Sequence, residues 1–457
     1  MRLSNDHRSV LPAYMEQQGA DKSRLRLAGS SCLVLCLLLS VCSFEASTQP
    51  AETIQFSNGR WFNGQLFERK TAYAIGGVLS FHRPAYVHRS IDLHGGFVVP
   101  PFGEAHNHNV ESLNNLDALI AKYLLHGIFY VKNPNNLARD RGLLQAKLNR
   151  PDSIDVAFSN GSFTGSGGHP VEIPQRVIRT GKWTNADGEG GFYYAVNNDA
   201  ELDEKWPALL ATRPDFVKTY LLYSDQYQRR RFDPHFDFWK GLDPALLPVI
   251  VKKAHEAGLR VSTHIENAAD FHNALVAGVD EINHMPGFRY GSDVEPHPVT
   301  EFEISAADAR AAARQETYVV STLGGATQQS DPALRQRQDA LNIRNLALLL
   351  KYHVKIALGS DAYRFDTLPE ALYLDSLHVM APRTLLNAWC TTTPETIFPG
   401  RHIGHLKEGY EASFLVLRGN PLVDFAMVEQ ITLEVKQGHV LDAQEPKGRN
   451  ISPQNRD

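Results

Sequence analysis

Six residues of this chain are candidate metal ligands, and each stands at the end of a strand-like run: His106, His108, Lys218, His264, His284 and Asp361. The first two belong to Glu104-Ala105-His106-Asn107-His108, which follows the apolar Val98-Val99-Pro100-Pro101-Phe102. In an extended strand, residues i and i+2 face the same side. The spacing therefore predicts two imidazoles presented to one point, as a metal site requires. Alone it is weak, because nineteen histidines produce such pairs by chance. The other four add weight. Lys218 closes Asp215-Phe216-Val217, His264 closes Val261-Ser262-Thr263, His284 closes Glu281-Ile282-Asn283, and Asp361 follows Leu358-Gly359-Ser360. Each has a bland reading: a surface lysine, a histidine bonded to backbone, a capping aspartate. Their shared place at strand ends argues for ligation.

The elements that must position them form an alternating text. Strands are predicted at 98–102, 127–132, 153–159, 215–220, 260–264, 281–284, 318–322 and 355–360, with helical patterns between them. Asp243-Pro244-Ala245 reads as a helix start and Gly258 as its exit; a second amphipathic run covers 341–353. This predicts an α/β fold, a (β/α)8 TIM barrel over 98–400 with its site at the carboxyl ends of the strands. Short β-prone runs at 52–97, broken by a turn at Ser57-Asn58-Gly59, and again at 401–443 predict a small β-sandwich built from both chain ends.

Of 457 residues, 43% are hydrophobic and 21% charged, with net charge −5. That suits a globular protein and makes no case for nucleic acid or an acidic membrane surface as partner. Residues 1–46 hold Lys22, Arg24 and Arg26 ahead of an uncharged apolar stretch at 27–44. This reads as a secretory signal, giving an exported protein, periplasmic or secreted. A retained membrane anchor is the alternative, and Leu39-Ser40-Val41-Cys42 approaches a lipoprotein cleavage box. Of the four cysteines, cleavage at or beyond Cys42 leaves only Cys390, so an intrachain disulfide is excluded and Cys390 is read as a packed residue. Residues 444–457 are polar and read as a disordered tail.

Taken in order, these motifs resemble the amidohydrolase superfamily, in the branch with a carboxylated bridging lysine. The matches are Glu104-Ala105-His106-Asn107-His108, Phe216-Val217-Lys218-Thr219-Tyr220, Val261-Ser262-Thr263-His264, Glu281-Ile282-Asn283-His284 and Leu358-Gly359-Ser360-Asp361-Ala362. The closing Ile403-Gly404-His405-Leu406-Lys407-Glu408-Gly409 also resembles the family's return to its β-sandwich. The resemblance covers about residues 52–442. Glu104 stands where the family usually has Asp, and Ser413 where it closes on an Ala-Asp pair. The resemblance implies two divalent metal ions, with His106, His108, Lys218 and Asp361 on the first and Lys218, His264 and His284 on the second. It implies carbon dioxide held as a carbamate on Lys218. Nitrogen and oxygen donors suit Zn²⁺, with Mn²⁺, Fe²⁺ and Co²⁺ left open. Asp361 would be general base and then acid to a metal-bound hydroxide.

Substrate contacts are read from the flanking loops. Gly165-Ser166-Gly167-Gly168-His169-Pro170 resembles the Gly-Gly-His loop of imidazolonepropionases and Xaa-Pro dipeptidases, bringing His169 to a substrate. Tyr220 faces the same side as Lys218 and would stabilise an oxyanion; Tyr223 is a weaker version of the idea. Arg289, with Tyr290 beside it, would read a substrate carboxylate, and Arg364 is a similar option. The segment 181–198 reads as a lid, and Arg229-Arg230-Arg231 as a solvated loop. The function implied is hydrolysis of a C–N bond in an amide, cyclic amide or dipeptide-like small molecule. The rivals are the same machinery on an ester, lactone or phosphoester, and a non-catalytic metal- or partner-binding barrel. A homo-oligomer is left open.

Overall fold

The computed structural model describes residues 52–441. The leader and tail readings, at 1–46 and 444–457, lie outside the described residues. Among the described residues no helix is long and apolar enough to cross a membrane.

The described residues begin with β1 (Thr53–Phe62), β2 (Phe67–Ile75), β3 (Val78–Ser80), β4 (Arg89–Asp92) and β5 (Phe97–Val99). Three parallel strands follow: β6 (Phe102–Glu104), β7 (Ile128–Asn133) and β8 (Asp155–Phe158). Then come β9 (Ser162–Thr164), β10 (Tyr194–Ala195), β11 (Val217–Tyr220), β12 (Val261–His264), β13 (Glu281–Asn283), β14 (Tyr318–Val320) and β15 (Lys355–Ala357), a seven-stranded parallel sheet. The described residues close with β16 (Phe414–Leu417), β17 (Ile431–Lys436) and β18 (His439–Leu441).

Strands from both chain ends form one eight-stranded mixed sheet, in which β16 runs antiparallel to β5 with Val416 opposite Val98. Aromatic residues of the two ends pack there, Phe414 lying 4.9 Å from Phe56 and 5.0 Å from Trp61. The turn expected at Ser57-Asn58-Gly59 is a β-bulge inside a continuous β1, where the register shifts between Phe56 and Gly59. Asn and Gly mark both features, because both need a residue in the left-handed region; Asn58 has φ 56°.

The strand expected at 98–102 is two strands. Val98 and Val99 belong to the mixed sheet, and Phe102 begins the parallel set. Pro100 and Pro101 separate them, since proline has no N–H to give to a ladder. Most of the parallel strands are buried along their length, β7 at all six positions and β11 and β12 at all four, as expected of strands covered on both faces. Backbone bonds join the two parallel sheets at two places: Ala105 N, after β6, donates to Leu358 O, after β15, at 2.8 Å, and Asp215 N, ahead of β11, donates to Phe158 O of β8 at 2.8 Å.

The helix Leu247–Glu256 starts later than Asp243-Pro244-Ala245 suggests, after one turn closed by Leu246 N to Asp243 O. Its exit is at Gly258, φ 71°, as expected. The helix over 341–353 is longer, Pro332–Lys351. Cys390 is fully buried, and burial pushes its thiol up to about 12, as suits a packed residue.

Two loop readings change. Segment 181–198 is not an open lid: Phe192 is fully buried, Tyr194 pairs with Phe163 in the parallel sheet, and Asp187 is bonded to Thr184 and Arg139. Arg230, the middle of the three arginines, is fully buried and not solvated. Its Nη2 lies 2.7 Å from Asp293, its Nη1 donates to Trp239 O, and its guanidinium sits 3.9 Å above the Tyr223 ring. Its local text is polar, but distant loops supply the acceptors.

Removing one partner of a buried ion pair leaves the other charge stranded, at roughly 3–5 kcal/mol. Arg230→Ala is expected to lose about 3 kcal/mol of unfolding free energy in urea. A loss below about 1 kcal/mol would show that Asp293 finds another partner.

Candidate metal centre

His106 and His108 lie on the bend after β6, not on the strand itself. They converge all the same. Glu104, fully buried, accepts from the backbone N–H of His106 and of Ser360 and from the Ser360 hydroxyl. His106 O in turn accepts from Asp361 N at 2.8 Å. The turn after β6 and the turn after β15 are thereby held together. Asp361 has φ 51° and His284 has φ 76°. Left-handed backbone at non-glycine residues costs on the order of 1–3 kcal/mol and persists where the surroundings impose it.

The result is one compact donor group. His106 Nε2 and His108 Nε2 lie 3.4 and 3.3 Å from Asp361 Oδ1. One atom from each of these three residues lies within 4.8 Å of the others, the geometry of a metal site. The imidazoles continue inward: His106 to His284 is 4.7 Å between ring centres, and His284 to His264 is 4.4 Å. Lys218 is fully buried, its Nζ 5.0 Å from the Tyr220 ring and bonded to Asn283 Oδ1. It lies within electrostatic reach of His106, His264 and His284.

Burial sets the protonation of this group. It drives His106 down to about 3, with Lys218 adding to the effect, and it holds His264 and His284 well below the usual histidine range. It also pushes Lys218 down to about 7, against the pull of Asp361 and Glu281. His108 differs: burial opposes its charge, but Asp361 and Glu111 outweigh burial and raise it to about 9. Burial also opposes ionisation of Asp361, yet His284, His106 and His108 keep its carboxyl well below the usual range. His106 Nδ1 is buried without a hydrogen-bond partner. The neutral imidazoles of His106, His264 and His284 beside an ionised carboxylate, with His108 giving up its proton on binding, are the donor set a divalent cation takes, so the residues fit such an ion.

Each of four histidines has a fixing partner that the sequence reading leaves out. Glu111 holds His108 Nδ1 at 2.9 Å, Glu266 holds His264 Nε2 at 3.0 Å, Thr322 holds His284 Nδ1 at 2.7 Å, and Glu172 bonds His169 Nδ1. Such partners orient ligating imidazoles. Three of them were within reach of the text, being carboxylates two or three residues from their histidine. Thr322 comes from the next strand end and has no local signal.

Of the expected substrate contacts, His169 and Tyr220 reach the centre, at 5.2 and 5.3 Å from the His264 ring. Arg289 joins it through an ion pair with Glu266 and lies over Trp239 and Phe288. Tyr223 does not: it stacks on His297 at 4.7 Å. Tyr290 packs against Phe302, and Arg364 is exposed. Tyr363, absent from the sequence reading, stacks on His108 at 5.1 Å while half exposed.

No family model matches the sequence. The chain is 27% identical to ochratoxinase from Aspergillus niger over 189 residues, 41% of this chain and 38% of that protein. It thus spans about two fifths of the length of the curated relatives it matches. In structure it is similar to A. niger ochratoxinase (TM-score 0.66, 16% identity, 86% of this chain and 96% of that one). It is similar also to molinate hydrolase (0.68, 15%, 89% and 98%) and to a Xaa-Pro dipeptidase with bound methionine in the active site (0.64, 16%, 86% and 100%). These neighbours are amidohydrolase-family proteins. The chain has the amidohydrolase fold. In that fold the six residues picked from the text sit together, and the weaker Tyr223, Tyr290 and Arg364 stand apart.

Because His108 must lose its proton to bind a cation, metal uptake by the apoprotein is expected to strengthen with pH. Below about 9 the apparent affinity should fall by up to about tenfold per unit as the proton competes. Glu111→Gln, which removes one of the carboxylates raising His108, should move that slope to lower pH. Chelator competition across pH 6–9 checks both; a flat profile in the unaltered protein would contradict the assignment.

Proposed function

We propose that this protein is a metal-dependent hydrolase of the amidohydrolase superfamily that cleaves a C–N bond in an amide, cyclic amide or dipeptide-like molecule. The backbone bonds that join the two parallel sheets at two places support closure into a (β/α)8 barrel, with the mixed sheet of the chain-end strands in the part expected of the β-sandwich. The leader text supports export. The observation that carries the reading is the convergence of His106, His108 and Asp361 on one point, with His284, His264 and Lys218 continuing the group.

His106, His108 and Asp361 would hold one divalent ion, His264 and His284 a second, and Lys218, as its carbamate, would bridge them. Bound there, the ions, most simply Zn²⁺, supply Lewis acidity and lower the pKa of a water molecule. Lys218, driven to about 7 by burial, offers a neutral amine to carbon dioxide near neutral pH, which supports the carbamate.

Asp361 is ionised and partly exposed beside His106 and His108, so it can take a proton from the attacking water and return it to the leaving nitrogen. The Tyr220 hydroxyl, held unionised by burial, can donate to the carbonyl oxygen as negative charge develops there. His169, fixed by Glu172, flanks the same position. Arg289 Nε is buried without a partner, which supports a substrate carboxylate as its missing acceptor. This favours N-acyl amino acids and dipeptides over neutral amides.

Asp361→Ala and His264→Ala are each expected to lower kcat/KM by about 10³-fold or more on N-acyl amino acids, with circular dichroism unchanged. Turnover retained in either folded variant would sink the mechanism. A panel that adds esters, lactones and phosphotriesters decides which bond is preferred.

A further inference from the structure

Beneath the centre lies a buried polar chain that the mechanism above does not use. Lys132 Nζ lies 2.7 Å from Glu281 Oε2, which also accepts from Thr396 Oγ1. The other carboxylate oxygen, Glu281 Oε1, accepts from Ser262 Oγ at 2.8 Å and from Asn283 Nδ2 at 2.9 Å. Asn283 Oδ1 accepts from Lys218 Nζ and lies 2.8 Å from the same Ser262 hydroxyl, whose single proton it shares with Glu281 Oε1. All these residues except the threonine lie on parallel strands, and all are buried.

This arrangement fixes the Asn283 amide in one orientation. Its NH2 must face the Glu281 carboxylate, because two acceptors would otherwise meet. Its carbonyl oxygen must then face Lys218. Glu281 sits two residues before Asn283 on the same face of β13 and is engaged by Lys132, Thr396, Ser262 and Asn283. The group that meets Lys218 is therefore a neutral acceptor aimed from a fixed base.

A carbamate needs such an acceptor. When the Nζ–C bond to carbon dioxide forms, one N–H proton leaves to solvent and one N–H remains, in the plane of the two new oxygens. Whatever accepts that last N–H determines which way the oxygens face. We propose that Asn283 is a positioning residue for the Lys218 carbamate: its Oδ1, aimed by the bond from its Nδ2 to Glu281 and flanked by Ser262, accepts the remaining N–H and turns both oxygens toward the imidazoles. The inference rests on the proposed bridging role of Lys218 and adds the residue that orients it.

The test uses the whole protein with ¹³C-bicarbonate and Zn²⁺, reading the carbamate carbon by NMR and metal by elemental analysis. The unaltered protein should show the signal and two ions per chain. Asn283→Leu, similar in size without the acceptor, should need at least tenfold more bicarbonate for half the signal and should bind close to one ion. Ser262→Ala, a milder change, should raise the bicarbonate requirement by a smaller factor, and it keeps the test open if the leucine variant does not fold. A signal in the unaltered protein matched by both variants at equal bicarbonate would overturn the role of Asn283. No signal in the unaltered protein at any bicarbonate concentration would overturn the bridging role of Lys218, and the inference with it.

Discussion

Lys218 is fully buried, with a neutral amide oxygen as the hydrogen-bond partner of its nitrogen and three imidazoles within electrostatic reach. Water is the usual stabiliser of an ammonium ion, and here it is excluded. The same exclusion acts on His106, His264 and His284, and together these groups favour the uncharged form. Burial thus leaves these nitrogens unprotonated, with lone pairs open to a divalent cation. That constraint is what makes the centre a receptor for cations, and it comes from burial at the strand ends more than from any one residue.

Holding the cluster open requires support from outside it. Glu104 ties the turn after β6 to the turn after β15, and β6 is itself anchored from behind by Trp389, stacked on Phe102 at 3.8 Å with its indole N–H on Gly103 O. Glu111, Glu266, Thr322 and Glu172 each fix one imidazole. Glu266 has a second task in pairing with Arg289, so the histidine nearest the substrate loops and the cation able to read a carboxylate share one carboxylate. Burial raises Glu266 to about 7, so its charge, and its grip on Arg289, fades as the solution falls below neutrality.

Much of this was legible in the text, for a physical reason. Parallel strands buried on both faces must be apolar, so a polar metal-binding residue at the end of such a run is conspicuous; Lys218, His264, His284 and Asp361 all stood out this way. Extra information came from their order along the chain. What stayed hidden depends on register between strands. His264 lies opposite Asn283 because β12 and β13 pair in that register, and no local pattern encodes it. Thr322 meets His284 for the same kind of reason. Arg230 shows the converse error: a run of three arginines looks solvated, yet the middle one finds Asp293 and Trp239 across distant loops. Pro100 and Pro101 were visible, but their effect, dividing one apolar run between two sheets, follows only from asking where each backbone N–H would go.

The most direct measurement is a crystal structure of the protein grown with excess Zn²⁺ and bicarbonate, with data collected on both sides of the zinc absorption edge. The account predicts two anomalous peaks, one among His106, His108 and Asp361 and one at His264 and His284, with density extending from Lys218 Nζ between them. Peaks elsewhere, or a bare Lys218 still bonded to Asn283 beside two occupied sites, would contradict it.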